Sequence, residues 1–356
     1  MVEKVLMKGN EAIGQAAVKA GCKAFFGYPI TPQTEVAAYM SKVMPKINRV
    51  FIQAESEVAA INMVYGAAGS GVRCMTSSSS PGVSLKSEGI SYIAAAELPC
   101  LIMNIVRGGP GLGSIQPAQS DYFQATKGGG HGDYNMPVFA PASIQEMIDL
   151  IQDAFDVADM YRTPCMVMGD GMLGQMMEPV EFKERPQKKL PEKTWAANGL
   201  RGRKKHNIIN SLYLAPEDLQ AHNNKLQEKF NKIRENEVRY ELTNCDGECD
   251  LILVAYGTTS RICKNVIKMA KKEGINIGLI RPITLWPFPM EAFEKTVNKT
   301  KHGYLSVEMS CGQMVYDVKL ASNGRKPVGF YGTSGGVIPE PSDILKKAKA
   351  MMGGEK

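Results

Sequence analysis

The sequence predicts an α/β protein with two domains on mostly parallel sheets, and three observations carry that prediction. Short, uninterrupted apolar runs such as Pro99–Val106 and Leu251–Ala255 read as strands buried on both faces, the form strands take when helices cover a parallel sheet from both sides. Amphipathic segments such as Ile144–Met160 alternate with those runs. A polar, Lys- and Pro-rich stretch over residues 181–247 separates two such patterns, which places one domain at 1–180 and a second at 248–356.

In the first domain Asn10–Ala20 reads as a helix and Ala24–Tyr28 as a strand. Pro32–Val43 reads as the next helix, with Pro32 in its first turn, where a missing N–H costs nothing. Arg49–Gln53 is a strand, Glu57–Ala68 a helix of small and apolar residues, Gly71–Thr76 a strand, and Ser77–Gly82 a polar turn ahead of another helix. The strand Pro99–Val106, the helix Ile144–Met160 and the strand Thr163–Met168 complete the pattern. Within 181–247, Pro216–Glu237 is rich in Glu, Lys and Gln and reads as an exposed helix. The second domain opens with the strand Leu251–Ala255, the turn Gly257–Ser260 and the helix Arg261–Lys272, which Gly274 can close. Ile275–Ile280, Gly303–Glu308 and Val328–Tyr331 are its further strands; Arg281–Pro289 is a stiff, Pro-rich loop, and a helix starts near Gly312.

Hydrophobic residues make up 44% of the chain and charged residues 22%, the balance of a well-cored soluble protein. No apolar run is long enough to span a membrane, and the first nine residues carry no apolar core of a secretory signal, so a cytoplasmic location is expected. The net charge of +6 is mild. Its densest run, Lys183–Lys205, lacks the interleaved aromatics of a nucleic-acid-binding module, while an acidic protein partner is compatible with it. The eight cysteines are scattered and lie mostly in apolar runs, as reduced core residues do. Cys245 and Cys249 are the one close pair, and iron–sulfur ligation normally takes four thiolates. No metal site is therefore expected in this chain, and any electron-transfer cluster belongs on another.

Ligands of open α/β sheets gather at the carboxyl ends of strands, and four segments there carry candidate chemistry. In Gly27–Pro32 two prolines pin the backbone around Thr31, whose hydroxyl either meets an anionic oxygen or caps a rigid turn. Glu57 opens an otherwise apolar helix. It either complements the helix dipole or is a carboxyl of raised pKa that exchanges a proton with a bound heterocycle. Ser77–Gly82 offers hydroxyls and backbone N–H groups that suit an anion and, equally, an ordinary turn. Arg107 ends a buried strand, where an unpaired cation is costly; the Gly/Pro loop after it leaves it open to clamp a carboxylate with two parallel hydrogen bonds, a structural salt bridge being the alternative. A second Gly-rich loop, Lys127–Asp133, is either a mobile site loop or a tight chain crossing and holds His131, the one histidine near a plausible site. The dinucleotide fingerprint and the Gly-x-Ser-x-Gly elbow are both missing, which disfavours an NAD enzyme and a serine hydrolase.

Taken in order, Gly27-Tyr28-Pro29-Ile30-Thr31-Pro32, Gln53 to Gly69 and Arg107-Gly108-Gly109-Pro110 closely resemble the alpha subunit of bacterial and archaeal 2-oxoacid:ferredoxin oxidoreductases. Tyr256-Gly257-Thr258, Arg281 to Pro289 and Glu308 to Met314 carry the resemblance through nearly the whole chain. It implies two thiamine-diphosphate-enzyme-like domains, a pyrimidine-binding one at 1–180 and a transketolase C-terminal-like one at 248–356. Thiamine diphosphate is then shared with a beta subunit that holds its pyrophosphate and Mg²⁺. The [4Fe-4S] clusters lie on the beta subunit and on a ferredoxin-like delta subunit, and a gamma subunit is common. Ferredoxin takes the electrons and coenzyme A the acyl group. By position, Glu57 matches the glutamate that pairs with the aminopyrimidine ring, and Thr31 and Arg107 match residues that hold the 2-oxoacid carboxylate; Ile30, Glu55, Ser79 and Asn104 match the cofactor's surroundings. Gly169-Asp170-Gly171 is similar to the opening of a thiamine diphosphate–metal motif, but the asparagines that complete one are absent, which leaves a strand-end turn. Ala54–Ala60, Ser77–Gly82 and Gly169–Pro179 are most similar to the branched-chain type, which acts on 3-methyl-2-oxobutanoate, with the 2-oxoglutarate type next and pyruvate third. A non-catalytic scaffold subunit is the rival reading; the presence of Thr31, Glu57 and Arg107 together argues against it.

Overall fold

Residues 4–186 and 188–353 are described by the computed structural model, and they form three sheets. The first half of the chain runs β1 (Val5–Lys8), α1 (Gly9–Lys19), β2 (Ala24–Gly27), α2 (Thr34–Val43), β3 (Val50–Gln53), α3 (Glu57–Gly69), β4 (Cys74–Ser78), α4 (Ser80–Ala95) and β5 (Cys100–Val106). It continues through α5 (Tyr122–Thr126), β6 (Val138–Phe139), α6 (Ile144–Tyr161), β7 (Pro164–Asp170), α7 (Gly171–Gln175) and β8 (Met177–Val180). Six of these strands form a parallel sheet in the order β6-β7-β5-β4-β2-β3, while β1 and β8 pair antiparallel as a separate ribbon. Successive strand residues point to opposite faces. Phe25, Met75, Leu101, Met103 and Val167 meet the layer of α1, α2 and α6, while Phe26, Cys74, Ile102 and Met166 face the layer of α3 and α4.

The second half runs α8 (Pro216–Asn236), β9 (Tyr240–Thr243), β10 (Leu251–Val254), α9 (Gly257–Lys272), β11 (Ile277–Pro282), β12 (Thr284–Trp286) and α10 (Met290–Thr296), then β13 (Tyr304–Glu308), α11 (Met314–Ser322), β14 (Val328–Gly332) and α12 (Pro341–Met351). Its sheet has the order β14-β13-β10-β11-β9, parallel except for the edge strand β9. The stretch 181–247 gives this body more than a linker. β9 joins its sheet, and α8, expected to be exposed, buries Leu226, Phe230 and Ile233 at helical spacing in a core that both sheets share.

Several expected boundaries move, each for a local reason. Pro32 lies in a turn closed by the Gln33 N–H to the Ile30 carbonyl (3.1 Å), so α2 begins two residues later, at Thr34. β4 runs on to Ser78, paired on one side with β5, and Ser80 already starts α4; the polar turn over Ser77–Gly82 shrinks to Ser79. α9 starts at Gly257 rather than Arg261 because the hydroxyls of its first turn find buried partners, Thr258 on Asp170 and Thr259 on Gln119. Arg281–Pro289 is not a loop. Arg281-Pro282 end β11, and β12 adds antiparallel to β6, which ties the C-terminal half into the N-terminal sheet. Arg281 reinforces the tie with two 2.9 Å hydrogen bonds to Glu146 and one of 2.8 Å to Glu241. Among the described residues no helix is long and apolar enough to cross a membrane.

Candidate active site

The strand order reverses at β2, which has β3 on one side and β4 on the other. Open α/β sheets bind ligands at such a switch point, beyond the carboxyl ends of the strands. The segments that leave β2, β3, β4 and β5 meet there. Ser77 Oγ donates to Gln33 Oε1 (2.6 Å), which joins the ends of β4 and β2. The Ser80 N–H donates to Asn104 Oδ1 (3.2 Å), and Asn104 Nδ2 donates to Asp121 Oδ2 (2.9 Å). The Arg107 N–H donates to Ser80 Oγ (3.1 Å), and its guanidinium donates to the Thr31 carbonyl (2.9 Å). Thr31, Ser80, Asn104 and Arg107, far apart in sequence, therefore meet at one point, with Ser79 the residue before Ser80.

Glu57 enters from α3. Ser56 caps that helix by accepting from the Ala59 N–H (3.1 Å), which leaves the Glu57 side chain free to turn inward. It is 6% exposed and, among the described residues, its carboxylate takes no hydrogen bond. Gly82 lets it in: a Cβ at Gly82 would stand 2.7 Å from Glu57 Oε1 and 2.1 Å from Ser78 Oγ. Arg107, 8% exposed, forms no ion pair among the described residues, so the structural salt bridge weighed for it does not form.

Four buried polar atoms around this point have no hydrogen-bond partner among the described residues: Gln33 Nε2, Ser78 Oγ, Ser79 Oγ and Arg107 Nε. A buried polar group left unpaired costs about 1–3 kcal/mol, and native chains seldom carry several together. The cluster of orphans, with an inward carboxylate and a glycine cradle, fits a polar heterocycle bearing both donors and acceptors. Asp121 closes the far side. Burial pushes its carboxyl above the usual range, while hydrogen bonds from Asn104 and Ser80 and the charge of Arg107 act against that rise.

The loop after Arg107 is shaped by glycine. Gly113 has a φ of +59°, and a Cβ there would fall 1.8 Å from the Gly108 carbonyl oxygen. Ser114 Oγ donates to the Gly335 carbonyl (3.2 Å), so the C-terminal half forms part of the same rim. A cavity of about 440 Å³ opens beside it, lined by residues that include Ser80, Gly109, Asp121, Cys311 and Gly335, with no lysine or arginine in its wall.

Other sequence candidates fall elsewhere. Glu55 is exposed and its side chain makes no hydrogen bond among the described residues; Ile30 contributes its carbonyl to the turn before α2. His131 is exposed, with its ring edge-on to Tyr92. Its loop is a tight chain crossing, since a Cβ at Gly130 would meet the Ser87 carbonyl oxygen at 2.5 Å. Asp170 caps α7 through the Met172 and Leu173 N–H groups (3.0 and 3.1 Å) and accepts from Thr258. Cys245 and Cys249 both place sulfur over Gly278 inside the core, and among the described residues no group of three metal-ligating side chains forms. Gln33, Ser78 and Asp121 were not singled out as site residues from the sequence. Ser78 lay in the flagged serine run; nothing local marks Gln33 or Asp121.

Fold and site define a two-domain α/β subunit that presents a carboxylate and an arginine at the switch point of its sheet, and the family models place it among the thiamine-diphosphate-dependent oxidoreductases. Residues 15–241 match the family described as pyruvate flavodoxin/ferredoxin oxidoreductase, thiamine diphosphate-binding, and residues 249–344 match pyruvate:ferredoxin oxidoreductase core domain II. The chain is 48% identical over 348 residues to the ketoisovalerate oxidoreductase subunit VorB of Methanothermobacter thermautotrophicus, covering 98% of each. It is similar to the solved 2-oxoglutarate:ferredoxin oxidoreductase from Magnetococcus marinus, with a TM-score of 0.86 and 26% identity over 99% of this chain and 66% of that one. A split-gene transketolase shares the fold, with a TM-score of 0.62 at 15% identity. The chain belongs to the 2-oxoacid:ferredoxin oxidoreductase family, in its alpha-subunit branch.

Proposed function

We propose that this chain is the pyrimidine-side subunit of a complex that oxidatively decarboxylates 3-methyl-2-oxobutanoate. The 2-oxoacid loses its carboxylate as CO₂, coenzyme A receives the acyl group as a thioester, and two electrons pass singly to ferredoxin. The observation that carries the reading is the buried Glu57 carboxylate, free of hydrogen bonds within the described chain, aimed past Gly82 into a cluster of unpaired polar atoms. When bound, thiamine diphosphate supplies the electron sink that lets a 2-oxoacid lose CO₂. Glu57 holds and releases the proton of the ring nitrogen that faces it. Arg107, anchored on the Thr31 carbonyl, and the Thr31 hydroxyl orient the substrate carboxylate. Ser79 and Asn104 border the ring. Mg²⁺ with the pyrophosphate and the [4Fe-4S] clusters are assigned to beta and delta subunits, with a gamma subunit completing a cytoplasmic complex. The full use of Asp170 as a helix cap and Thr258 acceptor supports placing the metal elsewhere.

The branched-chain substrate is supported by the likeness to the ketoisovalerate subunit. The likeness to the 2-oxoglutarate enzyme favours 2-oxoglutarate as the second reading. The test is anaerobic reduction of ferredoxin or a dye by the native complex, with coenzyme A and a panel of 2-oxoacids. Fastest reduction with 3-methyl-2-oxobutanoate is expected. Preference for 2-oxoglutarate would change the substrate and keep the chemistry, whereas no coenzyme-A-dependent reduction from a fully loaded complex would return the chain to a scaffold role.

A further inference from the structure

Two thiols that the mechanism above does not use converge at the amino edge of the second sheet. Cys245 follows β9 by two residues, and Cys249 precedes β10 by two. Cys245 is 3% exposed, Cys249 is wholly buried, and both are free thiols. Gly278, in β11, faces them both. A Cβ there would stand 2.7 Å from the Cys245 sulfur and 3.0 Å from the Cys249 sulfur. The two sulfurs therefore border one small space that the glycine leaves open, and rotation of the side chains can bring them together.

The backbone on either side of the pair is pinned. Asn244 Nδ2 donates to Asn276 Oδ1 (2.7 Å) and to the Ile277 carbonyl (2.8 Å). The Cys249 N–H donates to the Lys299 carbonyl (2.7 Å), and the Cys249 carbonyl accepts from the Lys301 N–H (3.0 Å). Between these pins Asp246, Gly247 and Glu248 form an exposed turn. The Cys249 sulfur lies beneath it, donating to the Asn244 carbonyl (3.1 Å) with the Gly247 carbonyl at 3.8 Å. The Cys245 sulfur lies on the strand side, 3.7 Å from the Leu279 carbonyl of β11. Lys299 Nζ donates to the Cys245 carbonyl (3.0 Å), which sets a cation beside the pair. Cysteines that only fill a core need no such cation, whereas one near a thiol favours the thiolate, the reactive form. The hydrogen bond from Cys245 draws the Cys249 thiol below its usual range against the effect of burial, and the same bond holds Cys245 above it.

We propose that Cys245 and Cys249 form a thiol–disulfide site, a dithiol that small-molecule disulfides oxidise reversibly when the turn above it opens. The Cys249 thiolate attacks one sulfur of the small disulfide. That S–S bond breaks, and one half leaves and takes up the proton that Cys249 released. The Cys245 sulfur then attacks the mixed disulfide at Cys249. The Cys245–Cys249 bond forms, and the second half leaves as a thiol with the Cys245 proton. Two electrons pass from the dithiol to the small disulfide, and the reverse steps restore both thiols. The pair belongs to the second sheet, whereas Arg107 and Glu57 stand at strand ends of the first, so the site is separate from the one proposed for the cofactor.

The test uses the complex purified anaerobically and equilibrated with reduced and oxidised glutathione at a series of ratios. The protein is then quenched in acid, alkylated and digested with trypsin. The peptide Tyr240–Arg261 holds both cysteines and no others. From folded complex in the more oxidising buffers, this peptide is expected to lose both alkylation sites and two hydrogens, and to regain both sites on reduction with dithiothreitol. Cys245→Ser should trap glutathione on Cys249, and Cys249→Ser should trap about tenfold less on Cys245. Equal trapping in the two variants would overturn the order of attack. Full alkylation of both cysteines at every ratio, oxidation that appears only after unfolding in urea, or a bond from either cysteine to a third one would overturn the site and leave two core thiols. The wild-type measurement decides this whether or not the serine variants assemble.

Discussion

Two buried glutamates stand at helix N-termini beyond strand ends, one in each α/β body, and their surroundings are opposite. Glu308, at the end of β13, is wholly buried, and its carboxylate accepts from Ser306 Oγ, Ser310 Oγ and the N–H groups of Gln313, Met314 and Val315, all at 2.8–2.9 Å. Glu57, first residue of α3, is nearly as buried and accepts nothing within the described chain. One carboxylate is consumed by the fold; the other is held in reserve. The same contrast separates Gln119, which joins the two halves through Tyr256, Thr259 and Met309, from Gln33, whose amide nitrogen has no partner among the described residues. Satisfied buried polar groups mark scaffold, and unsatisfied ones gathered at a switch point mark a place where a ligand completes the bonding.

Exchanging the two glutamates' amides is the strongest way to break this comparison. Glu57→Gln is expected to lower turnover about 10²- to 10⁴-fold, the range of a lost acid–base group, with little change in unfolding temperature. Glu308→Gln should do the reverse. An amide cannot accept five donors, so about 2–3 kcal/mol of stability is expected to go, read by urea unfolding, while the turnover of folded complex persists. A Glu308→Gln protein of normal stability and no turnover would end the distinction between the sites.

Arg107→Lys sharpens the comparison at smaller scale. Lysine keeps the charge but not the planar fork that binds a carboxylate twice, so kcat/KM for the 2-oxoacid is expected to fall on the order of tenfold. The effect should appear mainly in KM, with thiamine diphosphate affinity unchanged. Unaltered KM and kcat would reassign Arg107 to holding the Thr31 turn.

The sequence showed the strands best where burial is two-sided. Pro99–Val106 and Leu251–Ala255 stand within a residue of β5 and β10 because continuous apolar runs admit few other environments. It hid what depends on distant partners. β12 looks like a Pro-rich loop until β6 arrives to pair with it, and Ser77-Ser78 look like a turn although they are the buried end of a strand, where the Ser77 hydroxyl and carbonyl are matched by Gln33 and Lys86. In the site, Glu57 and Arg107 were legible as charges in the wrong surroundings, an acid opening an apolar helix and a cation ending a buried strand. Asp121 was not, because its meaning comes wholly from Asn104, Ser80 and Arg107.

The smallest expected effect lies at the junction of the halves. Asp170, 4% exposed, caps α7 and accepts from Thr258 on α9; burial pushes its carboxyl up, and the Thr258 hydrogen bond is the first of the contacts that oppose the rise. Thr258→Val removes that hydroxyl donor and leaves the backbone N–H groups of Met172, Leu173 and residue 258, for an expected loss of about 1–2 kcal/mol at neutral pH with turnover intact. A carboxyl whose folded pKa is raised loses stability as pH climbs from the unfolded pKa through the folded one, and the variant raises the folded pKa further. The gap between wild type and variant should therefore narrow as pH falls and both folded forms hold the proton. Urea unfolding at neutral and mildly acidic pH checks this. A gap of the same size at both would mean that Thr258 matters through packing rather than through the Asp170 charge, and the junction would then resemble an ordinary core contact more than the fully bonded carboxylate at Glu308.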